Sequence, residues 1–177
     1  RFEQLEDQRV IELSDSLQKI IEKTEIISAK HYPLQVIFHG INELVEYPAF
    51  AVRLSRKIKA EILGWQAAKL ASYNAETWLD INNNIQATLL ERIEYAFSNN
   101  LRISSVSDYQ LLAHIKRQLG SLQTLFDALS NRTLFSVGGV FWVESLDNLK
   151  SGKYQPFANK LFSQHLPSTI LKSTRTS

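Results

Sequence analysis

The sequence predicts an all-α fold, a bundle of about five to seven helices. Three observations predict it. Apolar residues recur at three- and four-residue steps over most of the first 130 residues, which places them on one face of a 3.6-residue helix. The breaks between these stretches carry helix-ending residues: Tyr32-Pro33, Tyr47-Pro48, Ser98-Asn99-Asn100 and Ser130-Asn131-Arg132. The chain has 177 residues, 44% of them hydrophobic, enough to bury a core without disulfides or metal. One domain is expected over residues 1–166. The Ser/Thr/Lys-rich end, 167–177, reads as a flexible tail.

The first helix is expected over 2–29. Val10, Leu13, Leu17, Ile20, Thr24 and Ile27 follow heptad a and d steps, thickened by Ile11 and Ile21. Glu3, Glu6 and Asp7 sit near the helix start, where the positive end of the dipole favours acids. Only about two and a half heptads hold, so both a bundle helix and a dimerising coiled coil fit. Pro33 then opens a second helix over 34–46, with Leu34, Ile37, Phe38, Ile41, Leu44 and Val45 apolar. A third is expected over about 49–71, its stripe made by Phe50, Leu54, Ile58, Ile62 and Trp65. Arg53, Arg56, Lys57 and Lys59 cluster away from that stripe.

Asn74 reads as an N-cap. It opens the most amphipathic stretch, Trp78 to Phe97, around which the domain is expected to pack. Trp78, Ile81, Ile85, Leu89, Ile93 and Ala96 form its stripe, widened by Leu79, Leu90 and Phe97. A fifth helix over about 108–130 carries Leu112, Ile115, Leu119, Leu122, Phe126 and Leu129 at similar steps. The segment 134–143, LFSVGGVFWV, is the least helical. Its Gly138-Gly139 reads either as a short β-hairpin turn or as a helix–turn–helix junction, and the junction is favoured because a lone hairpin lacks sheet partners. A short helix is expected over 156–165.

Chemistry is sparse. With no cysteine, disulfides, thiolate metal sites and a cysteine nucleophile are excluded. The glycines form neither GxGxxG nor a P-loop, and no GxSxG elbow occurs. His39, Glu43 and Glu46 would share a face of the second helix, but they match no metal-binding motif, and solvated side chains are the expectation. No cofactor or metal is expected, and the balance leans against an enzyme. The formal net charge of +2 is small, although residues 101–177 hold nine Lys and Arg against four Asp and Glu. A nucleic-acid role is therefore the weaker reading. No apolar run is long enough to span a membrane, and a soluble, cytoplasmic chain is expected. Arg at position 1 and the lack of any Met point to a piece of a longer protein.

These features together predict a helical protein-interaction domain with an adaptor, regulatory or assembly role. Its partner would be another protein or a second copy. The expected surface comprises Val10, Leu13, Leu17 and Ile20 of the first helix with Arg53, Arg56 and Lys57. The alternative is a small-molecule sensor whose pocket is lined by aromatics, chiefly Trp65, Trp78 and Trp142, with Phe135 and Phe141 beside them.

Overall fold

The computed structural model describes residues 7–28, 32–55, 57–58, 63–69, 71–99 and 105–143. The expected short helix over 156–165 and the tail over 167–177 lie outside them. In chain order the elements are α1 (Asp7–Ser28), β1 (Leu34–His39), a 3₁₀ turn (Ile41–Glu43), α2 (Tyr47–Ala51), β2 (Leu63–Gln66), α3 (Ala75–Asn99), α4 (Ser105–Ser130) and β3 (Val137–Val143). The fold is therefore mixed α/β, with a three-stranded sheet, and not the all-α bundle expected from periodicity.

The sheet order is β1-β3-β2. β1 runs parallel to β3, and β2 antiparallel to it. The central strand is the stretch read as a hairpin or helix junction. It is neither, because its sheet partners come from residues about 70 to 100 positions earlier. Every residue of β3 is buried, as a strand covered on both faces requires, and its Val, Phe and Trp suit a pleated surface. The glycines within it fit the same geometry. The Phe141 ring lies against Gly139 on its own strand and against Gly64 across the ladder, so a side chain at either glycine would occupy the space of the ring. Gly64 adopts a φ of 153°, which L side chains rarely take, and a Cβ there would also strike the Val140 carbonyl oxygen.

The expected helix over 34–46 is corrected to β1 and a turn. Gly40 ends the strand with a φ of 89° and starts the 3₁₀ turn, a left-handed step that glycine makes without a Cβ penalty. The Leu34, Val36 and Phe38 side chains alternate with Gln35, Ile37 and His39, so a period of two hid beneath the apparent helical spacing. The expected helix over 49–71 is corrected likewise. Among the described residues it is replaced by the five-residue α2, with Pro48 near its start, a helical pair at Lys57 and Ile58, and the separate strand β2.

The three long helices were legible. Asn74 caps α3 as expected, its side-chain oxygen accepting the Thr77 amide at 2.8 Å. The organising helix is α4, however, since α1, α2 and α3 all pack on it. Leu111, Ile115, Leu119, Leu122, Leu125 and Phe126 give it an apolar surface wide enough to face several neighbours. α1 turns Val10, Ser14 and Ile21 inward, with the Ser14 hydroxyl donating to the Ile11 carbonyl at 2.9 Å. An ion pair between Arg132, just past α4, and Asp15 of α1 fastens the same contact at the surface.

Aromatic rings join sheet to helices. Phe38 of β1 stacks on Trp142 of β3, with centroids 4.8 Å apart. Tyr73 stacks on Phe135 at 5.1 Å and meets the edge of Phe126 from α4 at 5.2 Å, while Trp78 of α3 reaches Phe126 from another side. Such pairs each add about 0.5–1.5 kcal/mol beyond burial. The core thus lies between α3, α4 and one face of the sheet.

Candidate functional site

The residues singled out from sequence separate into different environments. Val10 is buried and Leu13 and Leu17 pack against the core, so most of the α1 surface is used internally against α4. Ile20 remains 60% exposed, and Ile27, one heptad further on, 75%. Among the basic residues, Lys57 is exposed and Arg56 lies outside the described residues. Arg53 is not on a solvated face. Its guanidinium is buried and grips both carboxylate oxygens of Asp108 in the first turn of α4, with the Nη1 to Oδ2 bond at 2.8 Å. Its Nε donates to the Ala49 carbonyl at 2.9 Å. Arg is suited to this because its planar fork meets a carboxylate bidentately. The pair holds the end of α2 to α4 and removes Arg53 from any nucleic-acid face.

The tryptophans are core residues, two of them with hydrogen-bonded indoles. Trp65 donates to Asp80 at 3.0 Å, and Trp142 to Gln118 at 2.7 Å. Trp78 packs edge-on to Phe126. Phe135 and Phe141 are buried as well. The geometry brings Trp65 to α3 and Trp78 and Trp142 to α4, but spends each ring on packing. A buried Trp needs such a partner for its N–H, because an unpaired donor would cost about 1–3 kcal/mol.

His39 ends β1, while Glu43 lies in the 3₁₀ turn and Glu46 beyond it, so the three do not share a helix face. No group of three or more His, Cys, Asp or Glu side chains is arranged to hold a metal among the described residues. No helix of the described residues is long and apolar enough to cross a membrane.

Tyr73 shows a marked change in proton affinity. Burial raises its hydroxyl well above its ordinary value, and the hydrogen bond it donates to Asp127 at 2.8 Å and the charge of that carboxylate add to the effect. The folded chain therefore keeps a proton that the unfolded chain loses near pH ~10. This contribution to stability is fully present below that pH and declines as pH rises above it. Tyr73→Phe should lower stability by about 1 kcal/mol at neutral pH and flatten the alkaline decline. Urea unfolding between pH ~7 and ~11 measures both, and an unchanged alkaline limb would assign it to other groups.

The surface that the sequence reading missed lies on α3. Periodicity places Leu79, Leu90 and Phe97 at the edge of the buried stripe. They are 57%, 40% and 50% exposed. Leu79 and Phe97 are 18 residues apart, five whole helical turns, so they share one azimuth about 100° from Trp78. Leu90 falls within about 20° of it. Asn83, exposed, and Gln86, half-buried, complete a run at steps of four, three, four and seven. The Gln86 amide donates to Asn82 at 2.8 Å. A strip of that spacing can seat the side chains of a second helix. The signal was present in the sequence as an apolar arc wider than one contact face needs.

Comparison with protein-family models, curated proteins and solved structures finds no match. The chemistry of the chain's own residues therefore carries the functional argument.

Proposed function

We propose that the chain is a protein-interaction domain and that the outward face of α3 is its docking surface. The observation that carries this reading is the exposed line of Leu79, Leu90 and Phe97, three large apolar side chains along about 27 Å of one rigid helix. Single exposed apolar residues are ordinary on a protein surface. An aligned set rimmed by polar residues is what marks an interaction site. The helix beneath it is anchored by its buried face and by the Trp65–Asp80 bond, so the strip is presented ready-formed, which lowers the entropic cost of association. This reading places the docking surface on α3; in α1, Val10, Leu13 and Leu17 serve the core, while Ile11 and Ile20 stay exposed.

The absence of cysteine permits a direct test. Leu90→Cys gives a unique thiol for a photo-crosslinker, and Lys116→Cys on the exposed side of α4 gives a control. In lysate of the source cells, a discrete adduct is expected from position 90 and not from position 116. Adding Leu79→Asp and Phe97→Asp should abolish it while circular dichroism stays native. A folded Leu90→Cys chain that yields no adduct overturns the reading.

A further inference from the structure

We infer that the partner seated on the α3 strip is a basic amphipathic helix of another protein. This rests on the docking surface proposed above and adds the chemistry of what fills it.

The strip is bordered on its solvent side by acids. Glu76 and Glu94 are also 18 residues apart and lie in one row, about 60° round the helix from Leu79 and Phe97. Glu91 and Asp80 follow in the next row. All four are exposed. The only base in α3, Arg92, is buried. A helix laid on this strip therefore meets apolar side chains at its centre and carboxylates along one flank.

Three classes of occupant can be weighed on this arrangement. A second copy laid antiparallel on the same strip would bring two acidic rows together, and like-charge juxtaposition opposes association; laid parallel, its α3 would offer neither row a base. An extended strand would need a row of unpaired backbone groups beside it, and α3 is a helix whose backbone bonds are internal. A helix with Leu-type residues at heptad spacing and Lys or Arg beside them satisfies both parts of the surface. Its apolar positions fill the spaces between Leu79, Leu90 and Phe97, while its bases face Glu76 and Glu94. Asn83 and Gln86, in the middle of the strip, would set its register by wanting a polar group opposite them.

The test uses the whole chain and two synthetic helices of about three heptads, one built from Leu and Lys and one from Leu and Glu. Binding is read by fluorescence anisotropy. The Leu/Lys helix should bind at least ~10-fold more tightly than the Leu/Glu helix. Its affinity should fall as salt rises from ~0.05 to ~0.5 M, over which the screening length shortens several-fold. Leu90→Asp should abolish binding, and Glu76→Lys with Glu94→Lys should reverse the preference, both with native circular dichroism. Equal binding of the two helices overturns the inference, as does Leu/Lys binding that survives either variant. Sedimentation showing a dimer that Leu90→Asp dissociates would assign the strip to a second copy and overturn it too. An adduct from position 90 with no binding of the Leu/Lys helix would leave the docking surface standing and remove only the basic helix.

Discussion

Replacing Arg53 by alanine is expected to lower the unfolding free energy by about 3–5 kcal/mol. Total stability for a domain is about 5–15 kcal/mol, so the variant sits near the edge of folding. The reason is what stays behind. The Asp108 side chain is fully buried, and without Arg53 its carboxylate has lost its bidentate partner. Removing one member of a buried pair costs more than the pair contributes, because the remaining charge keeps its desolvation penalty. Two further variants separate that explanation from a loss of packing. Asp108→Ala should cost a similar amount, since it strands the guanidinium. Arg53→Met combined with Asp108→Leu should recover most of the loss, since it removes both charges and keeps the volume. Urea unfolding of the four proteins measures this. A double variant as unstable as the singles would show that the contact is needed for its shape and not for its charge balance.

Ile85→Asp is expected to unfold the chain. Ile85 is buried at the centre of the α3 stripe. The substitution forfeits about 2–5 kcal/mol of packing and places a carboxylate where neither water nor a base can serve it. The comparison that gives this its force is Leu90→Asp, five residues on in the same helix. That side chain is exposed, so the change should stay within about 0.5 kcal/mol of the parent. Circular-dichroism melts of the two variants decide the matter. A cooperative melt for Ile85→Asp would contradict the assignment of the buried face, and an unfolded Leu90→Asp would show that the α3 strip supports the fold and is not free for a partner.

The contrast between those two residues shows how far the sequence could be read. Trp78, Ile81, Ile85, Leu89 and Ala96 recur at steps that define the centre of a buried face, and α3 follows them. The edges of the arc are set by how neighbouring elements curve around the helix, so Leu79, Leu90 and Phe97 fell outside the core although they lie beside its stripe. α1 shows the same effect, with Leu17 and Ile21 turned toward α4 and Ile20 left in solvent. Arg53 is the converse case. A base away from an apolar stripe reads as solvated, until Asp108, 55 residues later, is folded against it.

The sequence by itself determined the three long helices and the Asn74 cap, because helical periodicity and capping act over a few residues. It also excluded any chemistry that depends on cysteine. Only the tertiary structure decided the sheet. A strand such as Leu34–His39 or Val137–Val143 has too few local contacts to hold itself, and its hydrogen bonds are completed by segments about 100 residues away. The same long-range closure placed α4 at the centre, buried the Arg53–Asp108 pair and left the acidic, leucine-bearing side of α3 facing solvent.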